Sequence, residues 1–92
     1  MNDLVRPSRV SELLRSHGLS PSKGLGQNFL VDRHALDRIV GAADVQSEDV
    51  CIEIGPGLGT LTRELADRAH TVLAIEKDKK LTPVLAETLA NY

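Results

Sequence analysis

Two short apolar runs joined by a glycine-rich turn and a helical stretch predict an α/β fold built on a parallel sheet. Val50–Ile54 is rich in β-branched residues and leads through Glu53 into Gly55-Pro56-Gly57-Leu58-Gly59. From Thr60 to about Ala69 the pattern turns helical, with Leu61 and Leu65 one turn apart on an inward face. Thr71–Glu76 is the second strand, a β-branched and apolar run that ends in the acid Glu76 and is followed by the polar Lys77-Asp78-Lys79-Lys80. Strand, helix and strand in this order form a crossover unit, which pairs its strands in parallel.

The flanking elements follow from local signals. Ser8 or Ser11 suits the cap of a first helix that runs to His17, with Val10, Leu13 and Leu14 on one face and Gly18 placed to end it. Leu19 to Leu30 is rich in Pro, Ser and Gly and reads as a loop. Asp32 suits the cap of a second helix to about Ala43, whose apolar stripe is Leu36, Ile39, Val40 and Ala43. Gln46 to Asp49 then turn the chain into the first strand. On the third helix Arg63, Glu64, Asp67 and Arg68 are expected to form a solvated outer face. Thr82 followed by Pro83 suits the cap and first position of a last helix, Pro83 to Asn91, with Val84, Leu85 and Leu89 on its apolar side. The order is two helices, then βαβα. This is the start of a doubly wound α/β domain, in which both strands would normally have further neighbours.

Composition narrows the classes. Ninety-two residues, 41% of them hydrophobic, suit one small globular domain or part of a larger one. Eleven Lys and Arg against 13 Asp and Glu leave a net charge of −2, so the whole-chain balance carries no nucleic-acid signal. The single Cys51 lies inside the first strand, where a small buried hydrophobe is expected; it has no internal disulfide partner, which is compatible with a cytoplasmic location. The longest apolar stretch is too short to span a bilayer, and the N-terminal segment mixes Asp3 and Glu12 with its arginines, so no membrane or targeting segment is expected. His17, His34 and His70 lack metal-ligand spacing, and no metal is expected.

The glycine loop carries the functional signal. A dinucleotide fingerprint, G-x-G-x-x-G, would need its third glycine at Thr60 or at Thr62, and a phosphate loop would need Gly-Lys-Ser/Thr after Gly59; neither is present. What remains is acid-x-Gly-x-Gly-x-Gly, with Glu53 two residues before Gly55. A carboxylate here would repel a pyrophosphate but favours a cofactor that is cationic at sulfur and zwitterionic at its amino-acid end. S-adenosyl-L-methionine is therefore the leading ligand. Glu76 stands 21 residues beyond Gly55 at the tip of the second strand, placed to accept hydrogen bonds from both ribose hydroxyls of an adenosine. A dinucleotide site would place an acid at a similar distance, so only the glycine spacing and Glu53 separate the two cofactors.

Three segments in series, Lys23-Gly24-Leu25-Gly26-Gln27-Asn28-Phe29-Leu30, Glu53 to Thr62, and Ile75-Glu76-Lys77-Asp78, closely resemble the N-terminal portion of the KsgA-type ribosomal RNA small-subunit adenine dimethyltransferases. The related erythromycin-resistance methylases of large-subunit RNA share Gln-Asn-Phe, but typically show Thr at Pro56 and Ser or Thr at Gly26, and rank second. The resemblance implies an S-adenosylmethionine-dependent methyltransferase domain of Rossmann-like fold, present here in its N-terminal part with an incomplete parallel sheet. Residues 1–22 would be an arm and helix, serving packing or facing RNA, and residues 23–92 the partial cofactor domain. Gln27 and Asn28 would lie over the methionine end of the cofactor with the backbone of Leu30 nearby. Gly55 and Gly57 would line the pocket floor, Glu76 would hold the ribose, and Glu53 would shape the methionine side.

The implied reaction is transfer of methyl groups to the exocyclic nitrogens of two adjacent adenosines in small-subunit ribosomal RNA, free or in a pre-ribosomal particle, each base presented out of its stack. The family draws the amino nitrogen towards tetrahedral geometry with an Asn-Leu/Ile-Pro-Tyr/Phe loop. In this chain the asparagines are followed by Asp3, Phe29 and Tyr92, so that loop is absent and no catalytic residue is expected. The expectation is an N-terminal fragment of such an enzyme, without activity of its own. A self-standing binding protein that reuses the half-fold is the alternative from another class.

Overall fold

The computed structural model describes residues 2–20, 29 and 31–92. A 3-10 turn over Asp3–Val5 precedes helices α1 (Pro7–Ser16) and α2 (Arg33–Ala43), strand β1 (Val50–Ile54), helix α3 (Thr60–Arg68), strand β2 (Thr71–Ile75) and helix α4 (Thr82–Thr88). The two strands pair in parallel, from Val50 opposite Thr71 to Ile54 opposite Ile75. The Gly55 amide donates to the Ile75 carbonyl at 2.9 Å, so the ladder runs into the glycine loop.

The helix ends obey their local chemistry. Gly18, at φ +71°, closes α1: its amide donates to the Arg15 carbonyl at 3.0 Å and the Leu19 amide to the Leu14 carbonyl at 2.8 Å, the paired bonds of a Schellman ending. Asp32 caps α2, its Oδ1 accepting from the amides of His34 and Ala35 at 2.9 and 3.3 Å. The turn from Gln46 to Asp49 is closed in both directions, the Asp49 amide reaching the Gln46 carbonyl and Asp49 Oδ2 accepting from the Gln46 amide.

Two helix starts differ from expectation. Neither Ser8 nor Ser11 caps α1; the helix opens on Arg6 with Pro7 at its first turn, where the missing amide costs nothing. Asn2 instead caps the preceding 3-10 turn, its side chain accepting from the Leu4 amide. Helix α4 starts one residue early, from Leu81 rather than a Thr82 cap, and ends at Thr88. Leu81 is completely buried, so tertiary packing fixes this start. Beyond Thr88 the chain tightens, with Tyr92 donating its amide to the Leu89 carbonyl three residues back.

One core joins the ends of the chain. Leu4, Val10, Leu13 and Leu14 cluster with Leu58, Leu81 and Val84, and Leu19, Phe29 and Val31 pack against them. The first helix therefore packs behind the glycine loop, through Leu58. Helix α2 lies against α3, with Leu36, Val40 and Leu65 buried, while Ile39 and Ala43 of its stripe stay exposed. On β1 the burial alternates: Cys51 and Glu53 are half-buried, while Val50, Ile52 and Ile54 are 62–75% exposed. Leu73 and Ile75 of β2 continue that open face at 52 and 55%. Cys51, on the other face of β1, is half-buried rather than buried as the sequence suggests, because among the described residues β1 pairs with β2 alone and its second edge has no strand neighbour.

The outer face of α3 is a further correction. Asp67 and Arg68 are exposed, but Glu64 is only 7% exposed and Arg63 is half-buried. Arg63 donates to Asp3 at 2.7 Å and to the Thr88 carbonyl at 2.8 Å, and its guanidinium lies 5.3 Å from the Tyr92 ring centre. Glu64 accepts from Asn2, Arg33 and Arg68. Burial pushes its carboxyl up, yet the hydrogen bonds from Arg33 and Asn2 outweigh this and hold it below the usual carboxylate range. The N-terminal turn and the chain beyond α4 cover a face that the helix pattern alone reads as solvated.

Candidate functional site

All three loop glycines adopt positive φ: Gly55 at +71°, Gly57 at +61° and Gly59 at +94°. Their surroundings differ. Among the described residues, a Cβ on Gly55 would meet nothing within 4 Å. A Cβ on Gly57 would touch the Phe29 ring at 3.5 Å, an ordinary contact, so among the described residues it is the conformation rather than crowding that demands glycine. At Gly59 a Cβ would come within 2.9 Å of Thr88 Oγ1 and 3.3 Å of Leu85 or closer to Leu89, so this glycine serves packing against α4.

Glu76 closes on the loop from the neighbouring strand. Its Oε1 accepts from the Gly57 amide at 3.1 Å and its Oε2 from the Asp78 amide at 3.0 Å. Each carboxylate oxygen keeps a further lone pair, enough for two hydroxyl donors. Parallel pairing explains the meeting, because the ladder ends at Ile54 and Ile75 and places Gly55 and Glu76 next in line.

Glu53 belongs to β1 rather than to the loop, one residue before its end. It is half-buried, and Thr62 Oγ1 donates to its Oε1 at 2.5 Å, a short charge-assisted bond. Burial raises the Glu53 carboxyl above its ordinary range, and the Thr62 bond only partly offsets this. Thr62 escaped the sequence reading; its place in the first turn of a helix leaving the loop, facing the strand, was the available signal. Between the ordinary carboxylate range and the raised native value, the folded chain binds more protons than the unfolded chain. Stability contributed by this group is therefore lost as pH rises through that window. Glu53→Gln, which still accepts from Thr62, should melt higher than the parent at neutral pH and lose that advantage in acid. Thermal melts from pH 3 to 8 check this.

Of the other residues the resemblance assigns to the cofactor, Gln27, Asn28 and Leu30 lie outside the described residues. Phe29, between them, does reach the loop at Gly57. His17 pairs with Glu87 at 2.9 Å and His70 contacts Thr71 at 2.9 Å. Among the described residues no group of three or more His, Cys, Asp or Glu could hold a metal, and no helix is long and apolar enough to cross a membrane.

A parallel βαβ unit whose second strand leads into a carboxylate on a glycine loop, with a half-buried acid one residue before the end of the first strand, has the form of the start of a Rossmann-like α/β domain. The model of the family "Ribosomal RNA adenine dimethylase" matches residues 19–92. The chain is also 49% identical, over all its residues, to the ribosomal RNA small subunit methyltransferase A of Alkaliphilus metalliredigens (strain QYMF), and covers 32% of that protein. The proteins of the same name from Bacillus thuringiensis (strain Al Hakam) and Bacillus mycoides (strain KBAB4) are 50% identical over the whole chain, again with 32% of their length covered. The chain belongs to the ribosomal RNA adenine dimethylase family, a methyltransferase family, and spans about a third of the length of these relatives. Membership implies use of S-adenosylmethionine in general.

Proposed function

We propose that these residues supply the S-adenosylmethionine-holding part of a ribosomal RNA adenine N6,N6-dimethyltransferase that acts on two adjacent adenosines of small-subunit ribosomal RNA in the cytoplasm. The observation that carries this reading is the Glu76 carboxylate drawn onto the Gly57 amide at the end of the parallel strand pair. The residues fit the group: Glu76 would take the ribose hydroxyls, Gly55 and Gly57 would floor the pocket, and Gln27, Asn28 and the Leu30 backbone would close over the methionine end. Bound there, the cofactor supplies an electrophilic methyl group. Glu53 adds negative potential on the methionine side, held in place by Thr62. The small-subunit target rests on the names of the relatives.

If Glu76 holds the ribose, Glu76→Ala should weaken S-adenosylmethionine binding by roughly 1.5–3 kcal/mol, the worth of hydrogen bonds to a charged acceptor. Isothermal titration of both chains measures it, with circular dichroism to establish that both are folded. Equal affinities would remove Glu76 from the site.

A further inference from the structure

The glycine loop is held from behind by a residue outside the βαβ unit. Thr88, the last residue of α4, is 2% exposed and donates its hydroxyl to the Leu58 carbonyl at 2.8 Å. The same oxygen occupies the space in which Gly59 would otherwise carry a Cβ, 2.9 Å away. Leu58 lies between Gly57, whose amide meets Glu76, and Gly59, whose amide donates to the Pro56 carbonyl at 3.0 Å. One buried hydroxyl therefore pins the middle of a loop whose three glycines have wide conformational choice. Its own carbonyl is fixed in turn by Arg63 at 2.8 Å, and Arg63 is tied to Asp3. Asn2 adds a second anchor just past the loop, donating to the Thr60 carbonyl at 2.8 Å.

We propose that Thr88 is a positioning residue for the glycine loop, fixing through Leu58 and Gly59 the conformation in which the Gly57 amide and the Glu76 carboxylate stand ready for the cofactor. The hydroxyl acts on the loop through Leu58 and Gly59. Its link to the cofactor rests on the function proposed above; its hold on the loop does not.

Thr88→Ala and Thr88→Ser differ by the hydroxyl alone and separate loop control from packing. Amide hydrogen exchange on the ligand-free chain gives the first readout. Thr88→Ala should speed exchange at Gly57 and Gly59 by about tenfold, the size of one lost hydrogen bond, with the amides of β1 and the middle of α3 unchanged, while Thr88→Ser should follow the parent. Uniform acceleration throughout the chain, or equal behaviour of the Ala and Ser variants, would overturn the proposal and leave Thr88 a packing residue. S-adenosylmethionine titration gives the second: affinity should fall roughly fivefold or more in the Ala variant and return in the Ser variant. A parent chain that binds no cofactor would count against the proposed function, while the exchange comparison still decides the role of Thr88.

Discussion

Gly57→Val should abolish S-adenosylmethionine binding while leaving the helices in place. Gly57 sits at φ +61°, a region that a β-branched residue enters only with strain. Relaxing that strain means rotating the peptide whose amide donates to Glu76, so the carboxylate loses its contact with the loop. The valine methyls would also press on Phe29, already 3.5 Å from the Cβ position, which moves the described neighbour of Gln27 and Asn28. Gly57→Ala carries the φ penalty with a smaller side chain and should lose less. Titration calorimetry with circular dichroism of both variants tests the order. A folded valine variant with parental affinity would return this segment to an ordinary strand-to-helix turn.

No methyl incorporation into ribosomal RNA is expected from these residues alone. Attack by an adenine amino group needs acceptors that localise the nitrogen lone pair, which the family's Asn-Leu/Ile-Pro-Tyr/Phe segment provides, and residues 1–92 contain no such sequence. The open sheet face compounds the deficit. Val50, Ile52, Ile54, Leu73 and Ile75, each more than half exposed, form one apolar patch, a surface that favours association. Broad thermal unfolding or aggregation should accompany the missing activity. A radiolabelled transfer assay, run beside a chain of the relatives' full length as positive control, reads the first; melts at several protein concentrations read the second. A sharply melting, active 92-residue chain would refute both.

Local signals made the βαβ unit legible. The strand at Val50–Ile54, the glycine turn and the Asp32 cap each depend on residues a few positions apart and stand where the sequence places them, while the second strand stops at Ile75, one residue short of the expected Glu76. Glu76 could be assigned to the loop's side because parallel strands leave little choice of neighbour. What escaped depends on partners far along the chain. Arg63 and Glu64 read as surface charges because nothing within one helical turn pairs both of them, while Asp3 and Asn2 lie about sixty residues away. Thr88 falls inside the helix expected over Pro83 to Asn91, and its hydroxyl has no visible role until Leu58 is brought against it. Cys51 was misjudged for the opposite reason, since strand hydrophobicity says nothing about whether the strand has a neighbour on each edge.

The in-register pairing of β1 and β2 makes the position of Glu76 a matter of parity. Side chains on a strand alternate, and Ala74 opposite Glu53 lies on the face that also carries Cys51 and Val72. Glu76 continues that even-numbered series, so both acids of the site fall on one side of the sheet and the opposite side is left apolar. Insertion or deletion of a single apolar residue between Thr71 and Glu76 would leave net charge and strand propensity almost unchanged, yet turn the carboxylate to the wrong side. Two residues would restore its side but overshoot the glycine loop by a full pleat. The spacing of this short strand is thus constrained more tightly than the identity of any residue within it.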